Sequence, residues 1–213
     1  MARTRTPVRR LGRPPATDSL ETRQRILDVA RAEFAVHGYE VTTNRQIAAR
    51  VGITTAALYH YFPSKSDLYV AVLAEAEDAV VTRFRSAVRG VGNLAEQLSL
   101  VLDESHTMNS EDPSLAQILG AFRIDERRHP EIGEAVGGRD RPLNRFFLDL
   151  VDDAVRRGDL DQSARRPMLA LITMILVGLS DAMSDDLRAH RIGVDVAKTL
   201  LAGRIAASHS SSN

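Results

Sequence analysis

The chain has no cysteine among its 213 residues. Disulfides, thiolate metal sites and thiol-based redox switching are therefore excluded. Its six histidines, His37, His60, His106, His129, His190 and His209, show no paired metal-ligand spacing, so no metal site is predicted. No Gly-x-Ser-x-Gly, Walker or Gly-x-Gly-x-x-Gly pattern occurs. An enzyme is not expected, and no cofactor is implied. Residues 1–17 carry arginines but no apolar core or small-residue cleavage site, which excludes a secretory signal there and predicts a cytoplasmic protein. The most hydrophobic stretch, Met168 to Leu179, is about a dozen residues long, short of the roughly 20 that cross a bilayer. It reads as a buried or interface helix.

What is present concentrates between Thr42 and Lys65. Thr43 followed three residues on by Gln46 has capping-box spacing and starts a helix. Ile47, Ala48 and Val51 give that helix a short inward face, and Gly52 stops it, since glycine takes the left-handed conformation without steric cost. Ile53 is an apolar plug under the turn. Thr54 and Thr55 are candidate N-caps of a second helix that turns Leu58 and Phe62 inward and Thr55, Ala56, Tyr59, His60 and Tyr61 outward. Pro63 ends it, and Ser64 with Asp67 caps a longer helix. Helix, tight turn, helix is either an ordinary hairpin packing a core or a DNA-reading module. The outward aromatics and the surrounding charge favour the second.

That charge is segregated. Net charge is zero, from 28 basic and 28 acidic residues, but residues 1–62 hold ten arginines against five acids, leaving 18 basic and 23 acidic residues beyond. A basic module on an acidic body suits a protein of which one face meets phosphate. Residues 1–17, with Arg3, Arg5, Arg9, Arg10 and Arg13 and no acid, are predicted to be a disordered basic arm. It is either a solvated tail or a minor-groove contact through Arg10 to Pro14.

The remaining chain reads as helix throughout. Asp18 with Glu21 caps a first helix that Gly38 stops. A long helix runs from Ser64 to about Arg89, and others start near Leu94, after Pro113, at Ile132 and at Pro142. Two more are expected over 167–189 and Val194 to Ile205. Gly178 in the apolar helix suggests close approach of another helix. The fold class is all-α, with boundaries 18–63 for the helix-turn-helix domain, 64–207 for a helical effector-binding and dimerisation domain, and 208–213 for a disordered tail.

A helix fits the major groove with its N-terminal side chains on base edges, while the preceding helix crosses the backbone. Thr55, Ala56, Ala57 and Tyr61 suit base edges, with Thr54 at the N-cap and His60 on the outward face. Thr43, Arg45, Tyr59 and Lys65 suit phosphates, which fix register without reading sequence. Thr-Thr-Asn-Arg-Gln-Ile-Ala, Val-Gly, Leu-Tyr-His-Tyr-Phe and Pro-Ser-Lys-x-x-Leu together resemble the DNA-binding domain of the tetracycline-repressor (TetR) family over residues 20–70. The resemblance implies backbone contacts by Thr43 and Arg45, base reading by Thr55, Ala56, Ala57 and Tyr61, and phosphate contacts by Tyr59 and Lys65. It also implies a small-molecule effector, apolar or amphipathic, held in the second domain. Candidate lining residues are Leu102, His106, Met108, Leu119, Phe122, Phe147 and Met174, for each of which plain core is the default reading, since Met and aromatic residues at helical spacing fill interiors.

The apolar faces of helices 143–157 and 167–189, with the same resemblance, suggest a homodimer built through Leu143, Phe146, Leu150, Ile172, Ile175, Leu179 and Met183. A dimer presents two recognition helices to half-sites about one helical turn apart, which requires a near-palindromic double-stranded DNA operator. The expected function is a ligand-responsive transcriptional regulator, a repressor released by its effector. The alternatives are an effector-independent or architectural DNA binder, and an all-helical enzyme or adaptor with a vestigial DNA module.

Overall fold

A computed structural model describes residues 16–138, 141–182 and 186–210. The arginine arm before Ala16, Met183 and residues 211–213 lie outside the described residues. The protein is all-α: α1 (Ala16–Val41), α2 (Asn44–Val51), α3 (Thr55–Tyr61), α4 (Lys65–Ala87), α5 (Leu94–Glu111), α6 (Pro113–Arg128), α7 (Pro130–Val136), α8 (Pro142–Arg157), α9 (Arg165–Ala182) and α10 (Leu187–Ser210).

Local chemistry explains most boundaries. Gly38, at φ 77°, interrupts α1 where the sequence places a stop. The Thr43 hydroxyl accepts from the Gln46 amide at 3.3 Å, while the Gln46 side-chain oxygen accepts from the Thr43 amide at 2.9 Å, closing the capping box. At the other end of α2, Gly52 sits at φ 80°, its amide donates to Ala49, and the Ile53 amide reaches back to Ala48 at 3.0 Å. That is a Schellman turn, and it needs a residue tolerating positive φ. Ser64 caps α4, Asn93 caps α5 and Asp112 caps α6. Pro113, Pro130 and Pro142 each open a helix at a position where a missing N–H costs nothing.

Four expectations fail. The first helix is already formed at Ala16, before the proposed Asp18 cap. The apolar helix begins at Arg165, after a 3-10 turn over Gln162–Ala164, and ends by Ala182 rather than running to 189. Residues 187–189 belong to α10, which Asp186 caps by accepting from the amides of Arg188 and Ala189 at 3.0 Å each; α10 also continues through Ser210. By length and composition, 162–180 is long and apolar enough to cross a membrane, contrary to the reading of a dozen-residue run. In the fold it places Met168, Ile172 and Leu179 in the core. Finally, a Cβ on Gly178 would meet nothing within 4 Å among the described residues, so no described helix of this chain approaches it closely.

The buried side chains form two clusters, and α4 is common to both. Its first half, from Leu68 to Ala76, packs with Ile26, Phe34, Ile47, Leu58 and Phe62 of the first three helices, and with Ile118, Phe122, Ile132 and Val136 of α6 and α7. Its second half, Val80 to Phe84, enters the cluster built by α5, α8, α9 and α10. Aromatic rings tighten the junction: Tyr69 lies edge-on to Phe34 and Tyr39, with centroids 5.0 Å apart in each pair, and Tyr39 meets His129 at 4.8 Å. The Tyr69 hydroxyl donates to Asp125 at 2.6 Å, and Tyr39 donates to Glu131 at 3.3 Å. Burial, then Glu131, pushes the Tyr39 hydroxyl pKa up to about 12; burial, then the bond to Asp125, raises that of Tyr69. Both therefore stay protonated as donors near neutral pH. Arg31 adds a polar tie, reaching Asp112 at 2.5 Å and Ser114 at 2.9 Å across to the start of α6.

Candidate nucleic-acid interface and internal cavity

Leu58 and Phe62 are buried in the core that α3 shares with α1, α2 and α4, so the helix presents one fixed outer face. The Thr54 hydroxyl accepts from the Ala57 amide at 3.1 Å and caps its N-terminus. Thr54, Ala56, Tyr59 and His60 are exposed, and Thr55 and Ala57 are half-buried beside them. Tyr59 is 48% exposed. Tyr61, expected outward, packs partly against the core. Thr43 and Arg45 are exposed at the start of α2, and Arg45 has no hydrogen-bond or ion-pair partner among the described residues. Arg50 is engaged, pairing with the buried Glu33 of α1 at 2.6 Å.

Lys65 departs from the expected phosphate contact. Its ammonium donates to the carbonyls of Tyr39 at 2.8 Å, Thr42 at 3.2 Å and Glu40 at 3.3 Å, and lies 4.1 Å from the centroid of the Tyr39 ring. Burial lowers its pKa. An ammonium has three donors, and all three are spent on the end of α1. The sequence could not show this, because the partners lie more than 20 residues away and are backbone.

A cavity of about 370 Å³ opens between α4, α5, α6, α8 and α9. That is within the size range of small-molecule sites. Its walls include Leu115, Leu119, Phe147, Leu169, Ile172 and Leu176. Three hydroxyls face it but bond into their own helices: Ser105 to Leu102, Thr173 to Leu169 and Ser180 to Leu176, at 2.7–3.0 Å. Of the seven residues proposed from sequence, Met108, Leu119 and Phe147 line it. Leu102 is core behind the wall. His106 bonds to the lining residue His190, Nδ1 to Nδ1 at 3.1 Å, without lining the cavity itself. Phe122 faces a shallower outer depression. Met174 is 68% exposed on the outside of α9.

Sequence reasoning passed over the charged residues at the mouth. Arg123 and Arg141 border both the cavity and the outer depression, together with Asn144 and Leu148, and Arg127 lines the depression alone. Arg141 donates to the buried Glu77 of α4 at 2.6 Å. Apolar periodicity does not mark such residues, since it finds the wall and ignores its gate.

The proposed dimer residues are largely internal. Phe146, Leu150, Ile172 and Leu179 are buried within this chain because α8 and the inner face of α9 close the core, and Leu143 and Ile175 are half-buried. The apolar surface lies elsewhere: Met174 and Val177 on α9, and Leu187, Ile192, Val196 and Leu200 on the neighbouring α10.

Residues 26–72, covering most of α1 through the first turns of α4, match the sequence model of the bacterial regulatory proteins of the tetR family. Among curated relatives, the chain is 21% identical over 194 residues to the HTH-type transcriptional regulator UidR of Escherichia coli K12, covering 90% of this chain and 97% of that protein. It is 32% identical over 131 residues to the HTH-type transcriptional repressor KstR of Rhodococcus jostii RHA1, 61% of each chain. The fold is shared with the transcriptional regulator FadR from Bacillus subtilis in complex with stearoyl-CoA, at a TM-score of 0.65 and 17% identity over 82% of this chain and 96% of that one. The helix-turn-helix built by α2 and α3 is similar to that of the tetR family of bacterial regulatory proteins, and the all-helical body it stands on has the fold of FadR.

Proposed function

We propose that the protein is a ligand-responsive transcriptional repressor that binds a near-palindromic operator as a homodimer and releases it when a small apolar or amphipathic effector fills the internal cavity. The observation that carries this reading is the placement of α4. One half of the helix builds the core under α2 and α3, and the other half borders the cavity. A change at the cavity is thereby connected by packed side chains to the helix that presents Ala56, Tyr59 and His60. Thr55, Ala56 and Ala57 approach base edges at the N-terminal end of α3, while Thr43, Arg45 and Tyr59 hold phosphates. Lys65 supports this surface from behind. Two copies meet through the apolar stripes of α9 and α10, where Gly178 leaves open space on its own chain. The names of UidR and KstR support regulation and repression, and the stearoyl-CoA held by FadR supports an acyl-bearing effector. Nothing in this reading calls for catalysis, and the protein works where the chromosome is, in the cytoplasm.

The test is to map the DNA protected by the purified protein upstream of its own and neighbouring genes. A protected near-palindrome with half-sites about one helical turn apart is expected. Protection that no small molecule relieves would favour an effector-independent DNA binder instead.

A further inference from the structure

Arg141 stands where three helices meet. Its guanidinium donates from Nε and Nη2 to one oxygen of Glu77 on α4, lies 4.4 Å from the centroid of the Phe122 ring on α6, and immediately precedes Pro142 at the start of α8. The Glu77 side chain is 2% exposed. Burial pushes the Glu77 carboxyl pKa up, and Arg141 pulls it down. Arg141 is therefore the countercharge that makes a carboxylate tolerable at that position. Arg123, exposed at the same mouth, has no hydrogen-bond or ion-pair partner among the described residues.

Behind these two arginines the cavity wall is mainly aliphatic and aromatic, and its Ser105, Thr173 and Ser180 hydroxyls donate into their own helices. Asn109, Asn144 and His190 are the other uncharged polar side chains on the wall, few against its apolar lining. An apolar chain fits inside, and an anionic group fits beside Arg123 and Arg141, which line both the cavity and the outer depression. Beyond it, the open depression lined by Arg123, Arg127 and Arg141, against the single acid Glu126, has room for a larger anion.

We propose that the effector is an acyl chain with an anionic head, and that the head draws Arg141 away from Glu77 while the chain fills the cavity. This rests on the reading of the cavity as the effector site. Deprived of Arg141, Glu77 is a buried carboxylate held only by the Leu143 amide, a state relieved when α4 shifts to hydrate it. Because α4 begins at Lys65, which grips the end of α1, and shares one core cluster with α1, α2 and α3, its shift moves the DNA-reading face. Binding and release are then coupled through one exchanged ion pair.

A free fatty carboxylate and an acyl thioester of a phosphorylated carrier share this chemistry. Calorimetric titration of the full chain with dodecanoate, dodecanoyl-CoA, dodecan-1-ol and CoA alone separates them. At least one of the two acyl anions should bind about tenfold or more tighter than dodecan-1-ol. The tighter of the two identifies the head. Arg123→Met should remove most of that preference and leave dodecan-1-ol affinity unchanged. Glu77→Gln keeps the size of the side chain but leaves no buried charge to strand. It should bind the acyl anion about fivefold tighter yet no longer be released from a DNA fragment upstream of its own gene. Equal affinity for alcohol and anion, no binding of any of the four, or normal release of Glu77→Gln would each overturn the proposal. Retention of that DNA by the ligand-free protein is read separately, so a protein that holds DNA but binds none of the probes refutes this inference and leaves the regulator reading standing.

Discussion

Two side chains show how far a residue's role is set by what folds around it. Lys65 follows Pro-Ser in the chain, a position that suggests a phosphate contact, but its three donors end on the carbonyls of Tyr39, Glu40 and Thr42. Lys65→Met should cost about 1–3 kcal/mol of stability in denaturant unfolding, because partly buried carbonyls lose their donor. In the folded variant, the slope of log affinity for DNA against log salt should stay that of the wild type. A reduction by about one would return Lys65 to the phosphate backbone. The second side chain is His190, whose pKa is lowered first by burial and then by the nearby His106. Its ordinary value is about 6.5, and in the fold it lies lower, so as pH falls the unfolded chain takes up this proton before the folded one does. The stability contributed by neutral His190 is complete above about pH 6.5 and declines as pH drops below it. Melting temperatures across that window should fall in the wild type and fall less in His190→Gln. Parallel curves would remove His190 as the cause.

Among the elements, those defined by local chemistry were legible in the chain. The Thr43–Gln46 box, Gly52, the Ser64 cap and Pro113 and Pro142 at helix starts act within a few residues, and each appears where its spacing indicates, whereas α7 starts at Pro130, two residues before the expected Ile132. Thr43→Ala should therefore destabilise the protein by about 1 kcal/mol, and Gly52→Ala by about 1–2 kcal/mol, since alanine must enter the left-handed region. Thermal unfolding that left Gly52→Ala at wild-type stability would contradict the Schellman geometry. The division between α9 and α10 was not legible, because no glycine or proline marks it; Asp186 does so through two amide bonds, a cap that the apolar pattern around it obscured. The apolar faces of α8 and α9 turn toward this chain's own core, which the sequence left open for a related reason. Periodicity reports that a stripe is apolar, without saying whether this chain or another covers it, and Phe146 and Ile172 turned out to be covered by their own chain.

At the scale of the whole molecule, α4 joins two cores, and the adjacent helices α9 and α10 carry six exposed large apolar side chains, beside others on α1 and α8. If the α9 and α10 surface is where two copies meet, Ile192→Asp with Val196→Asp should convert the protein to a monomer in sedimentation without unfolding it, since both side chains are more than half exposed here. A dimer that survives both substitutions would place the interface elsewhere. The cavity gate was illegible in the sequence, because Glu77, Phe122 and Arg141 come from three helices and meet only in the fold. The central claim is that the outer face of α3 recognises DNA, and it is tested most directly by gel retardation of the protein's own upstream fragment with Ala56→Glu, an exposed site where the change leaves the core untouched. The folded variant should lose about 100-fold or more in affinity, because a carboxylate is brought against base edges and phosphates. Retention equal to that of the wild type would contradict the claim.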